Sequence, residues 1–214
     1  MTASILTAAP DGPQAPADAA GLPVYPGRVI GLEGPTGLGL TRIGLSMLSA
    51  TSASCRVVVD ARGWLCPLAA WEVGIDPDHL TVVRCSDAYR WPRVLAVLLD
   101  GVKAIYSEVP RGVEEALLRR LGAKARARNA TVILRPLAGR VPSGMAFLRL
   151  RAVRVEWVGA REGHGSLGRR TLVVELSGKG AAGRYQEVEV EDDGARPVRV
   201  VSRLVTPQVG RSVG

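Results

Sequence analysis

Gly27-Arg28-Val29-Ile30-Gly31-Leu32-Glu33-Gly34-Pro35-Thr36-Gly37-Leu38-Gly39-Leu40-Thr41 decides how the rest of the chain is read. Residues 28–33 have the apolar composition of a strand, and Gly34-Pro35 ends it, because proline lacks the backbone donor that a ladder needs. A glycine-rich turn follows. Residues 41–50 then place Ile43, Leu45, Met47 and Leu48 at helical spacing. Strand, glycine turn and helix are the setting of a phosphate-binding loop, G-x-x-x-x-G-K-[ST]. Gly34 and Gly39 hold the outer glycine positions and Thr41 the terminal hydroxyl, but Leu40 stands in the lysine slot. Backbone N–H groups can still curl around an anion at such a helix start. Losing the ammonium nevertheless costs a phosphate site about 2–5 kcal/mol. The loop therefore reads as a scaffold feature, and no cofactor is expected.

Working outward, Cys55-Arg56-Val57-Val58-Val59-Asp60 is a β-branched run of the kind buried on both faces of a parallel sheet. Residues 66–73 read as helix, 80–85 as strand, and 93–99 as helix with Pro92 in its first turn. A strand over 102–107, an amphipathic helix over 113–128 and a strand over 130–134 continue the alternation. The rhythm then changes. Residues 147–158 alternate apolar and charged side chains, 159–170 are turn-rich, and 170–177 return as a second strand, which is hairpin chemistry. The expected fold is α/β, a mostly parallel sheet flanked by helices with antiparallel edge strands toward the C-terminus. Residues 1–26 are expected to be a flexible tail, 27–184 the core domain and 185–214 a poorly ordered tail or docking segment.

With 47% hydrophobic residues in 214, the chain can bury a core, so wholesale disorder is excluded. No apolar run reaches the roughly 18 residues of a membrane span. No cation precedes Arg28 and no signal-length apolar run is present, so a cytoplasmic location is expected. Cys55, Cys66 and Cys85 match no zinc or redox spacing and read as reduced thiols. The formal charge is +8, and residues 111–170 alone carry 14 Lys/Arg against 4 Asp/Glu. Such a segment suits a polyanion or an acidic protein partner. On the helix it supplies Arg119, Arg120, Lys124, Arg126 and Arg128. Arg149 and Arg151 alternate together while Arg154 falls out of phase, which argues against a single basic stripe on that strand.

The opening strand and Gly-Pro loop resemble the start of the RecA recombinase core, and the likeness continues in order. Val57-Val58-Val59-Asp60-Ala61-Arg62-Gly63-Trp64-Leu65-Cys66-Pro67 is similar to the RecA strand that ends in Asp-Ala-Glu. Val73-Gly74-Ile75-Asp76-Pro77-Asp78-His79-Leu80 resembles its connection to the next strand. Residues 102–108 sit in the Walker B place and 145–183 track the following hairpin, so the resemblance covers 27–184. The departures fall on the chemistry. Leu40 replaces the phosphate-loop lysine, Arg62 replaces the acid that activates water, and Glu108 takes the Walker B position, or Ser107 if the register slips by one. Hydrolysis needs the charge clamp, the metal carboxylate and a positioned water together. The resemblance therefore implies a chain without turnover and with no catalytic residue. Asp60 reads as a strand-end cap, and Arg62 as a stand-in for the missing lysine charge in a minor variant of that reading.

A short, degenerate RecA-like chain of this kind resembles the ImuA family, including its actinobacterial ImuA-prime type, and more broadly the SulA-like cell-division inhibitors. The resemblance implies a non-catalytic role in SOS mutagenesis during translesion synthesis. The implied partners are an ImuB-like Y-family polymerase homologue and an error-prone replicative-type polymerase, with a DNA contact through the Arg-rich 111–170. Two alternatives remain, a divergent RecA-type ATPase and a SulA-like division inhibitor. His79 and His164 lack metal-ligand neighbours in sequence. Trp64, Trp71 and Trp91 read first as packing residues and second as protein-contact anchors.

Overall fold

A computed structural model describes residues 17–19, 21–158 and 168–205. In chain order the elements are β1 (Ala17–Ala19), β2 (Leu22–Val24), β3 (Val29–Glu33), α1 (Leu40–Ser49), β4 (Arg56–Asp60), α2 (Pro67–Trp71) and β5 (Leu80–Arg84). They continue with α3 (Trp91–Gly101), β6 (Ala104–Val109), α4 (Glu115–Ala127), β7 (Thr131–Pro136), β8 (Leu148–Val158), β9 (Arg169–Ser177), β10 (Gln186–Asp192) and β11 (Arg199–Val205). Nine strands form one sheet in the order β11-β10-β9-β8-β3-β7-β6-β4-β5. The pairings from β5 through β4, β6, β7 and β3 to β8 are parallel, and those from β8 to β11 are antiparallel. The fold is thus α/β with a mostly parallel sheet and an antiparallel C-terminal group, in a RecA-like layout. Among the described residues no helix is long and apolar enough to cross a membrane.

Two apolar clusters cover the sheet. On one face α1, α2 and the β1–β2 hairpin pack on Ile30, Leu32, Val58, Tyr106 and Ile133, and the same cluster runs on over Leu150, Leu172, Val174, Val188 and Val190. On the other, α3 and α4 bring Trp91, Leu95, Leu118 and Leu121 onto Val57, Ile105, Val132 and Leu134. That second cluster contains no residue of β8–β11. Among the described residues the central strands are therefore sandwiched, while the antiparallel strands are covered by an apolar cluster on one face only. The expected β-branched run over 55–60 follows from this: β4 is buried from Val57 to Asp60, whereas β10 alternates.

Two expected boundaries are corrected. The tail expected over 1–26 contains β1 and β2, whose Leu22 and Val24 are buried in the first cluster; residues 1–16 lie outside the described residues. The segment 185–214, expected as a poorly ordered tail or docking piece, supplies two strands of the main sheet as far as Val205. Gln186-Glu187-Val188-Glu189-Val190 alternates with period two, so Val188 and Val190 face the core while the glutamates face out. Arg42 on α1 locks the segment down through Asp192 at 2.8 Å and the Arg196 carbonyl at 2.9 Å.

The phase of the β8 arginines is corrected too. Ala152 pairs with Val174 and Arg154 with Val173, so Val153 is an extra residue in a β-bulge. The bulge returns Arg154 to the face of Arg149 and Arg151. A shared stripe does exist, but its members are paired: Arg149 with Glu33 at 2.7 Å, Arg151 with Glu175 at 2.5 Å and Arg154 with Glu156 at 3.0 Å.

Candidate functional site: a phosphate loop closed by arginines

β3 delivers the glycine turn to the C-terminal edge of the sheet, where α1 begins. Gly39 caps α1 with φ of 75°, and a Cβ there would stand 2.8 Å from the Arg170 guanidinium of β9. The position needs glycine both for its left-handed backbone and for that close approach. Leu40 is fully buried in the first apolar cluster. Its side chain belongs to the core, so nothing at this position points a charge toward the loop. Gly34, Pro35, Thr36 and Gly37 are exposed.

Glu108, near the C-terminal end of β6, is 3% exposed and lies across from the start of α1. Its carboxylate accepts hydrogen bonds from Arg62 Nε at 3.0 Å, from Arg62 Nη2 and from the Arg62 backbone N–H at 3.3 Å. Arg135 at the end of β7, also buried, approaches the same carboxylate at 3.8 Å and donates to the Thr41 hydroxyl. The glutamate hydrogen bond holds the Arg62 guanidinium above its ordinary range, with burial opposing it. Ser107 faces the opposite side of the sheet, accepting from the Trp91 indole N–H at 3.1 Å. The register question is thereby answered: Glu108 is the acid on the loop side.

Asp60, at the end of β4, accepts from the backbone N–H groups of Gly63, Trp64 and Leu65 at 2.8, 3.3 and 3.0 Å. It caps the 61–66 turn, in agreement with the strand-end reading. That turn carries Arg62 back over the sheet, which is why Arg62 reaches Glu108 and not the glycine loop. Its variant reading as a stand-in lysine is corrected: its charge is neutralised on Glu108.

The donor set does not fit a magnesium–nucleotide. In phosphate-loop enzymes the loop hydroxyl and the Walker B carboxylate share the metal, and the lysine meets the terminal phosphates. Here Arg135 bridges Thr41 and Glu108, a guanidinium where that divalent ion would bind, and the lysine position is buried. Arg135 escaped the sequence reading. The available signal was a lone arginine closing the apolar run Thr131-Val132-Ile133-Leu134, but its partners lie 94 residues away at Thr41 and on a different strand at Glu108.

The other candidates are scattered. His79 sits beside Asp76 on the surface, and His164 lies outside the described residues. Among the described residues no group of three or more His, Cys, Asp or Glu could hold a metal ion. Trp91 is core, whereas Trp64 and Trp71 are 74% and 59% exposed. Of the 13 described cations in 111–170, nine form ion pairs, several with acids outside the segment such as Asp100, Glu175, Glu191 and Asp192. Part of the basic excess of that segment is therefore spent on ion pairs within the fold. No curated protein matches the chain. Residues 19–142 match the family model described as MT3502 N-terminal domain; they span more than half of the chain, including the glycine loop, Arg62, Glu108 and Arg135, and the chain belongs to that family.

Proposed function

We propose that this protein is a RecA-like accessory without nucleotide turnover, related to the ImuA family and more distantly to the SulA-like proteins. It acts in DNA-damage-induced mutagenesis by recruiting or bridging an ImuB-like Y-family polymerase homologue and an error-prone replicative-type polymerase. The observation that supports this reading is the capture of Glu108 by Arg62 and Arg135, with Arg135 also on Thr41. A carboxylate with two guanidiniums on it is a poor magnesium ligand, because a divalent cation would have to displace both. With the motor site closed, what remains is surface: the edge strand β5, the exposed Trp64, Leu68 and Trp71, and the uncovered face of β8–β11.

Affinity purification of the tagged chain from DNA-damaged cells tests the reading. Recovery of a Y-family-like polymerase homologue, unchanged by Glu108→Ala variants that remain folded, is the expected result. ATP hydrolysis by the purified wild-type protein that vanishes in that variant would replace this reading with the divergent ATPase. Inhibition of the tubulin-like division protein, with no polymerase recovered, would replace it with the SulA-like one.

A further inference from the structure

The two edges of the sheet differ. β11 is blunted: Val201 is an extra residue in a bulge against β10, and Arg203 reaches out to the Gly21 carbonyl of the β1–β2 turn. Bulges and edge charges of this kind keep a sheet from pairing with another. β5, at the opposite edge, has no such device. Leu80-Thr81-Val82-Val83-Arg84 keeps an unbroken register with β4. Apart from that ladder, residues 81–84 make no backbone hydrogen bond among the described residues. One side of the strand therefore presents unpaired N–H and C=O groups.

Apolar surface accompanies this edge. Val82 pairs with Val58 and so faces the side of the sheet on which α2 packs, where α2 exposes Leu68 and Trp71. The charges say what pairs with the strand. Asp78 stands just before β5 and Arg84 ends it; both are exposed, and among the described residues neither forms an ion pair. Their acidic neighbours are engaged, Asp76 with His79 and Asp87 with Arg90. A second copy of β5 laid parallel would set like charge against like charge at both ends. Laid antiparallel, it brings Asp78 of each copy to Arg84 of the other, twice across one two-fold axis.

We propose that the β5 edge joins two copies of this chain, paired antiparallel across a two-fold axis so that their sheets run on as one. Backbone hydrogen bonds supply the contact, the two Val82 side chains meet near the axis, and the Asp78–Arg84 contacts at the ends set the direction of pairing. Such an interface is self-complementary and closes at two copies. This goes beyond the accessory reading and does not depend on it, since it uses only the open edge and its charges.

Sedimentation velocity of the purified full-length chain over a range of micromolar concentrations tests it. A species of twice the chain's mass, growing with concentration, is expected. Asp78→Arg and Arg84→Asp should each weaken dimerisation about tenfold, because the two-fold axis turns two attractive contacts into two repulsive ones. Combined in one chain, the two reversals should restore it. Val82→Lys, which sets two ammonium groups together near the axis, should abolish it. Far-UV circular dichroism and the urea midpoint check that each variant is folded; if Val82→Lys does not fold, the charge reversals decide alone. A wild type that stays monomeric overturns the proposal, as does a dimer indifferent to the single reversals or a double variant no tighter than the singles. A monomeric chain whose edge instead captures a polymerase homologue, with capture lost in Val82→Lys, overturns it in favour of a different partner. Dimerisation is read on the purified chain and polymerase recovery in damaged cells, so either reading can fail without the other.

Discussion

The sandwiched parallel strands and the half-open antiparallel strands contain the same chemical pair, arginine with glutamate, in two different physical situations. Between β4, β6 and β7 the pair Arg62–Glu108, with Arg135 beside it, is enclosed by helices and loops; the Arg135 and Glu108 side chains are 5% and 4% exposed. On β8 the pair Arg154–Glu156 is 61% and 66% exposed. Charges cut off from water have to be neutralised by one another, whereas charges on an open face are served by solvent whether or not they pair. The enclosed arginines hold together the strand ends around a glycine loop whose residue 40 is a core leucine.

The largest effect should come from breaking the enclosed pair. Glu108→Ala leaves two guanidiniums short of their acid and should cost about 3–5 kcal/mol of stability, read by urea unfolding. If Glu108 were instead an acid awaiting metal, its removal would be neutral or stabilising, so the sign alone decides. Next, Gly44 on α1 lies against the Tyr106 ring and Leu32, with no room for a Cβ. Gly44→Ala should cost about 1–3 kcal/mol through overpacking, while Gly101→Ala, at a glycine with open space and an ordinary backbone, should carry no steric penalty in the same urea unfolding.

Smaller effects belong to the open face. Arg151→Ala should cost under about 1 kcal/mol, but it carries a pH signature. The hydrogen bond from Arg151 holds the Glu175 carboxyl below its ordinary value, with burial opposing. A depressed folded-state pKa stabilises above the unfolded value, and that contribution is lost as pH falls through the folded one. In a carboxyl-carbon NMR titration Glu175 should therefore titrate below an ordinary glutamate, and Arg151→Ala should move its midpoint up. Smallest of all, Arg154→Ala should change stability by less than about 0.5 kcal/mol; a larger loss would mean that the β8 face is not open to solvent.

Much of the parallel half was legible in advance. The strand–turn–helix at 28–50, the run Val57-Val58-Val59 and the helix over Glu115–Ala127 announce themselves through periodicity that needs no partner. The antiparallel half was legible as far as the β8–β9 hairpin and then misread. β10 alternates valine with glutamate, and its acidic residues masked a strand pattern whose inward face is Val188 and Val190. Arg154 was placed out of phase because a bulge is invisible until the partner strand is present. At the site, Leu40, Arg62 and Glu108 were all singled out, yet their arrangement was not, and Arg135 was missed.

The sequence by itself determined which segments between residues 28 and 177 become strands and helices, that Leu40 stands in the lysine slot of the loop, and that the chain builds a layered α/β core. Those properties depend on the spacing of apolar side chains within a turn or two of backbone. Only the tertiary structure decided that Arg62 reaches Glu108 across 46 residues and that Arg135 reaches Thr41 across 94. Such pairings are set by the order in which parallel strands lie side by side, and crossover connections bring together strand ends that are far apart along the chain.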